Sequence, residues 1–138
     1  VTGSSSNQVG DFQTTIPPPV KFSWTNRPQT TTIDRSRNLT LTWTGASNGT
    51  VVVAGGNFDQ PSNASAVFVC AALASSGTLS VPFYLLAGIP VSRPLLQQSA
   101  GYLQMTVLPS SLTSFVASGL DAGLAMSLVW MDKSVVFQ

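Results

Sequence analysis

Large apolar side chains fall at every second position through most of this chain, and no sustained 3.6-residue period competes with that alternation. Val20, Phe22 and Trp24 share one face of an extended segment, opposed by Lys21 and Ser23, until Asn26-Arg27-Pro28 breaks the run. Leu39-Thr40-Leu41-Thr42-Trp43-Thr44 alternates strictly, with leucines and tryptophan inward and threonines outward. Gly45 and Asn48-Gly49 supply turn residues, and Thr50 to Ala54 returns rich in valine. Residues 39–54 are therefore predicted to form a hairpin or near-hairpin, closed by Gly55-Gly56.

Ala66 to Leu73 is apolar on both parities, the pattern of a central strand covered on both sides. Ser75-Ser76-Gly77 turns the chain into a strand from Thr78 to Phe83. In the segment Pro82 to Pro90, proline stands early, Leu85-Leu86 sits in the middle, and Gly88 and Pro90 come late, which predicts one short helical turn near 83–88. Gly101 to Leu108 alternates again, with Leu103, Met105 and Val107 on one face. Leu112 to Ser118 fits a strand or a short helix. Leu124, Met126, Leu128 and Trp130 alternate cleanly, and Asp132-Lys133 is read as a turn into a last strand, Val135 to Phe137.

About eight short strands at a spacing of roughly 8 to 12 residues predict an all-β fold. The architecture expected is an antiparallel Ig-like β-sandwich, in which the inward stripes of two sheets share one core. Trp24, Trp43 and Trp130 each lie on the parity of their neighbours' large hydrophobes, so all three are expected inside. Residues 1–19, with Gly3, Ser4 to Ser6, Gly10 and Pro17-Pro18-Pro19, read as a flexible leader or linker, and 20–138 as a single domain. Val1 opens no stretch with a basic head and an apolar core, so no signal peptide is read there, and the chain looks like an excised piece or a mature form.

Composition narrows the chemistry. The chain has no histidine and no glutamate, five aspartates, two lysines and one cysteine, which removes most of the residues that perform acid–base work near neutral pH. A Ser-His-Asp or Cys-His arrangement is impossible, and neither Lys21 nor Lys133 lies in an S-x-x-K sequence. No catalytic residue and no cofactor is assigned, and the chain is not expected to be an enzyme. Charged residues are 8% of the chain and the net charge is +1, which leaves no electrostatic footprint for nucleic acid. Arg35 and Arg37 beside Asp34 are read as a solvated turn. Residues 60–92 carry no charge, but the apolar runs Ala66 to Ala74 and Val81 to Val91 are each too short for a spanning helix, so no membrane span is expected. Cys70 reads as a small buried hydrophobe, since no charge within ten residues would activate it. Sequons occur at Asn38, Asn48 and Asn63, but chance matches are expected in a chain so rich in Asn, Ser and Thr.

Two surface aromatics stand out as candidate ligand-binding residues. Tyr102 falls on the parity opposite Leu103, Met105 and Val107, and Phe58 sits in Gly55-Gly56-Asn57-Phe58-Asp59-Gln60, read as a loop. Asn57, Asp59 and Asn63 could offer oxygens to calcium, but one carboxylate makes a poor hard-cation site, and no metal is assigned. With so few lysines to guard an edge strand, pairing with a neighbouring domain or another chain through such an edge is the partner interaction expected.

Three segments carry a resemblance: Leu39-Thr40-Leu41-Thr42-Trp43-Thr44-Gly45, then Val67-Phe68-Val69-Cys70-Ala71-Ala72, then Gly77-Thr78-Leu79-Ser80-Val81-Pro82 with Leu85-Leu86 and Ile89-Pro90. Together they resemble the C-terminal module of uncharacterised exported proteins of acidobacterial-type bacteria, in which a "tWtG" strand precedes an "f.C.a" strand and a "G.f.vP..vL..lP" segment. Gly119-Leu120-Asp121-Ala122-Gly123 and Lys133-Ser134-Val135-Val136-Phe137 resemble that family's final hairpin. The resemblance covers roughly residues 20–138. It implies export to the cell surface or outside and a β-sandwich, with no functional residue to carry over. The function expected is thus a non-catalytic, exported accessory module of a larger protein, serving adhesion, display or spacing; the alternative is a carbohydrate-binding module of the same fold.

Overall fold

A computed structural model of the chain describes residues 2–3, 9–93 and 101–138; Ser4 to Ser6 of the expected leader lie outside them. The fold is mostly β: short strands in open sheets, one short helix and one 3-10 turn. In chain order the strands are β1 (Thr2–Gly3), β2 (Phe12–Gln13), β3 (Ser23–Trp24), β4 (Thr32–Ile33), β5 (Leu39–Thr44), β6 (Thr50–Asp59), β7 (Ala64–Leu73), β8 (Thr78–Val81), β9 (Gly101–Leu108), β10 (Thr113–Phe115), β11 (Gly123–Ala125) and β12 (Trp130–Phe137). Helix α1 (Phe83–Ala87) follows Pro82, as the proline, leucine and glycine spacing predicts, and buries Leu86.

Two larger sheets organise the chain. One has the order β3-β5-β8, and the other the order β4-β12-β9-β6-β7. In the first, Trp24 lies directly opposite Trp43, and Asn26 stitches the end of β3 to β5: its carbonyl oxygen accepts from the Trp24 indole (2.9 Å) and the Thr42 amide (3.0 Å), while its Nδ2 donates to the Thr40 carbonyl (2.8 Å). That double use explains why the alternation stops at Asn26. Trp24, Leu41, Trp43 and Val81 from this sheet join Val51, Val53, Leu103, Met105 and Phe137 of the other in a single buried cluster. Inward positions thus follow the period of two that the sequence displays.

Several expectations fail at the level of neighbours. Residues 39–54 do not form a hairpin, because β5 pairs with β3 and β8 whereas β6 pairs with β7 and β9. Gly45 and Gly49, both at φ 93°, carry the chain from one sheet to the other, and a Cβ on Gly49 would run into the backbone carbonyl of Leu108. The true hairpin of this region joins β6 to β7 through Gln60 to Asn63, with Asn63 left-handed at φ 52° and Asp59 opposite Ala64. Gly55 to Asp59 is therefore strand, not loop. The pairing is also not wholly antiparallel, since β12 runs parallel to β4 with Phe137 opposite Ile33.

The segment Ala66 to Leu73 is not a central strand. It lies in β7, the edge of the five-stranded sheet; Phe68 points into the core while Val67, Val69 and Leu73 are exposed. Asp132-Lys133 makes no turn, because β12 is continuous from Trp130 to Phe137. Trp130 is 61% exposed, against 4% for Trp24 and 2% for Trp43, so only two of the three tryptophans are core.

Gly10, Phe12 and Pro17 lie beside the segment that carries β10 and β11. Phe12 stacks on Phe115 with ring centroids 4.3 Å apart, the Gly10 amide donates to the Ser118 carbonyl (2.8 Å), and the Ser127 hydroxyl donates to the Pro17 carbonyl (2.5 Å). Among the described residues no helix is long and apolar enough to cross a membrane; the apolar stretch 66–91 is divided among β7, the 3-10 turn, β8 and α1.

Candidate functional site

The period of two that fills the core also builds the opposite face of the five-stranded sheet. Inward positions of β6 are odd-numbered, so Thr50, Val52, Ala54, Gly56 and Phe58 point away from the core. Register fixes their neighbours: Val67 and Tyr102 flank Gly56, Val69 and Gln104 flank Ala54, and Leu73 and Leu108 flank Thr50. Trp130 lies opposite Thr106, and Ser134 opposite Tyr102. On the outer positions of β6, β7 and β9 no residue is charged, and on β12 Asp132 is the one that is.

Both sequence candidates fall on this face. Tyr102 is 44% exposed and Phe58 is 49% exposed. Because Tyr102 pairs with Gly56, Phe58 is its diagonal neighbour across the ladder, a separation of roughly 7–8 Å that aromatic side chains can bridge. Trp130 stands one strand over and about four residues further along, roughly 13 Å in the strand direction. Sequence reasoning missed Trp130, Val67, Val69 and Leu73 as surface residues. The charge-free run gave no signal for β7, since an edge strand without lysine cannot be told from a covered one by pattern alone.

The proposed oxygen ligands do not share one environment. Asn57 and Asp59 lie on the inward parity at the end of β6 and are buried, whereas Asn63 is exposed in the turn. Asp59 Oδ2 accepts from the Ser62 hydroxyl (2.5 Å), and Oδ1 faces Arg93 Nε at 3.1 Å without hydrogen-bond alignment. Asn57 Nδ2 donates to the Pro90 carbonyl at 3.1 Å. The guanidinium thus supplies the charge that balances the buried carboxylate. Among the described residues no three His, Cys, Asp or Glu side chains come together as a metal would require.

Three other cations hold backbone. Arg27 donates to the Asp132 carbonyl (2.6 Å), and Lys133 Nζ donates to the carbonyls of Arg27 and Pro28, tying the turn after β3 to β12. Arg35 donates to the carbonyls of Ala87 (3.1 Å) and Ile89 (2.7 Å). Cys70 lies half-buried on the inner parity of β7, and burial pushes its thiol pKa up, away from reactivity.

Asp34 is the turn-former of the Asp34-Arg35-Ser36-Arg37 segment. Its carboxylate accepts from the Ser36 hydroxyl (2.6 Å), the Ser36 amide (2.9 Å) and Arg37 Nε (2.7 Å), and these donors hold its pKa down to about 2. A depressed carboxylate contributes stability that is complete above its unfolded value near 3.8 and is lost as pH falls through about 2. Ser36→Ala removes the largest of these donors, so a carbon-detected NMR titration of the Asp34 carboxyl should show its midpoint rising toward the ordinary value. A midpoint that did not move would place the cause elsewhere.

The charge-poor face of the β7-β6-β9-β12 portion thus exposes Phe58, Val67, Val69, Leu73, Tyr102, Leu108 and Trp130, while other exposed apolar side chains, Phe83, Tyr84 and Val116 among them, lie elsewhere. No family model matches the chain, and no curated protein and no solved structure matches it either.

Proposed function

We propose that this chain is a non-catalytic accessory module of a larger exported polypeptide, an Ig-like sandwich that docks through the outer face of its five-stranded sheet. The observation that carries the reading is the concentration of apolar side chains there: Val67, Val69 and Leu73 are each about two-thirds exposed, beside Phe58, Tyr102 and Trp130. Contiguous exposed apolar surface beyond a few hundred Å² is uncommon on monomeric soluble proteins and marks interaction sites. The resemblance of the Leu39–Gly45, Val67–Ala72 and Gly77–Pro82 segments to modules of exported bacterial proteins supports the export half of the proposal. The chemistry of the chain supports the non-catalytic half, because Lys133, Arg27, Arg35, Arg37 and the buried carboxylate of Asp59 are engaged with backbone or with a charge of opposite sign.

Hydrogen exchange on the longer polypeptide and on the 138-residue chain tests the docking reading. Amides of β7 and of the Tyr102–Leu108 segment should exchange more slowly in the longer polypeptide or in its assembled form. Equal exchange in every form would sink it.

One observation favours a second reading. Tyr102 and Phe58 are diagonal neighbours with Trp130 on the same face, and aromatic surfaces of this kind stack against sugar rings. If the face is a glycan platform, saturable binding on a glycan array should fall at least about tenfold in Tyr102→Ala, a change of roughly 1.4 kcal/mol, while thermal stability is retained. Absence of saturable binding by the unaltered chain would remove this reading.

A further inference from the structure

We propose that the open edge of β7 takes a sixth strand from another polypeptide: an extended, uncharged segment whose larger side chains point inward across the margin of the core. The edge and the outer face are different surfaces of one sheet, so this pairing stands or falls separately from the docking reading above.

The edge strands of the two larger sheets are β3 and β8 in one and β4 and β7 in the other. Three of them are short: β3 and β4 have 2 residues each, and β8 has 4 and runs into Pro82. Short edges and prolines keep a sheet from recruiting further strands. β7 has 10 residues, with no charge and no proline among them. Its register with β6 runs unbroken from Asp59 opposite Ala64 to Thr50 opposite Leu73, so no bulge turns this edge away. Among the described residues β7 pairs with β6 alone. In an antiparallel pair, alternate residues turn their N–H and C=O toward the partner strand and the others turn theirs away. The Ser76 hydroxyl takes the Leu73 carbonyl at 2.7 Å, and the outward-turned groups before it are left for the one partner that matches their repeat, another extended backbone.

The side chains say what that strand carries. On the inward parity of β7 Phe68 is buried, but Ala66, Cys70 and Ala72 are small and only partly buried against the core. A strand laid along the edge covers them, and large apolar side chains on its inward positions fill the space beside them. A second copy of β7 would bring the same small residues there and leave that space underfilled. On the outward parity Val67, Val69 and Leu73 are each about two-thirds exposed and offer aliphatic cross-strand neighbours. Residues 60–92 carry no charge, so a charged residue on the added strand would be desolvated without a counterpart.

Amide-resolved NMR of the 138-residue chain, with the capped peptide acetyl-KTLTLTLTK-amide as the added strand, tests this. In the free chain slow and fast amides should alternate along β7. At saturation the fast set should slow at least about tenfold while the Tyr102–Leu108 amides keep their rates. The peptide acetyl-KTLTPTLTK-amide, whose central proline lacks the ladder N–H, should bind at least about tenfold more weakly. Ala72→Lys sets an ammonium beneath the added strand and should weaken binding by a similar factor, whereas Gln104→Lys, on the outward parity of β9, should leave it within about twofold. If Ala72→Lys does not fold, the proline peptide carries the comparison. The proposal is overturned by amides that are uniformly slow in the free chain, by a fast set that the peptide leaves unchanged, or by equal binding of the two peptides. Slowing of the same amides when the chain alone is concentrated would make a second copy the occupant and overturn the choice of partner. An inert edge together with slowed Tyr102–Leu108 amides in the longer polypeptide would end strand addition and leave the docking reading standing.

Discussion

Trp43→Ala is expected to destabilise the fold by about 4–5 kcal/mol, whereas Trp130→Ala should change stability by less than about 0.5 kcal/mol. Both residues are tryptophans in strands with alternating neighbours, yet Trp43 is 2% exposed and Trp130 is 61% exposed. Truncating Trp43 opens a cavity between Trp24, Leu41 and the facing sheet, and it also removes the indole N–H that donates to the Ala74 carbonyl at 2.8 Å. The cavity accounts for most of the loss, and the orphaned carbonyl adds about 1 kcal/mol, tempered because the Gly77 amide also approaches it. Total stabilities of single domains are about 5–15 kcal/mol, so Trp43→Ala should leave little margin. Urea unfolding followed by circular dichroism reads both variants. Equal losses for the two tryptophans would contradict the placement of β12.

Why one tryptophan was legible and the other was not follows from the phase of the alternation. In β5 the inward parity is odd, and Leu39, Leu41 and Trp43 all obey it without a break. Leu124, Met126, Leu128 and Trp130 also share one parity, but it is the outward one: Leu124 and Met126 are exposed like Trp130, and the apolar stripe lies on the surface. In β12 the inward positions are odd, ending on Val135 and Phe137, so Trp130 faces out. Alternation alone does not say which parity is covered, and here the larger side chains stand on the open side.

The same limit governs partners. Alternation assigns a face to each residue and says nothing of the neighbouring strand, so β5 and β6 could be read as strands from sequence but not assigned to different sheets. Tyr102 was legible because it breaks the parity of Leu103, Met105 and Val107 within one unbroken strand. Phe58 was legible as exposed but placed in a loop, since paired glycines before it mimic a turn. In the fold Gly55 is there for packing: a Cβ would come within 2.5 Å of Leu103 Cδ2 and 2.7 Å of the Phe68 ring, so the absence of a side chain makes room for two large ones. The exposed side of β7 was hidden because aliphatic residues on both parities describe a strand buried on two faces and an uncovered edge strand equally well.

Gly101 and Phe137 should show this kind of complementarity in its most measurable form. Gly101 opens β9 opposite Val135, and a Cβ built on it would overlap the Phe137 ring, which is itself fully buried at the end of β12. Gly101→Ala therefore overpacks the site, at a cost of about 1–3 kcal/mol. Phe137→Leu removes volume at the same place and loses about 1–2 kcal/mol through lost apolar area and a partial cavity. The double variant fills the vacated space with the added methyl, so its cost should fall short of the sum of the single costs by at least about 1 kcal/mol, well outside the roughly 0.3–0.5 kcal/mol within which independent sites add. Denaturant unfolding of all four proteins measures that coupling. Strict additivity would mean that the ring does not rest on Gly101, and the pairing of β12 with β9 at this end of the sheet would have to be redrawn, along with the hydrogen bonds by which Ser92 holds the Phe137 backbone.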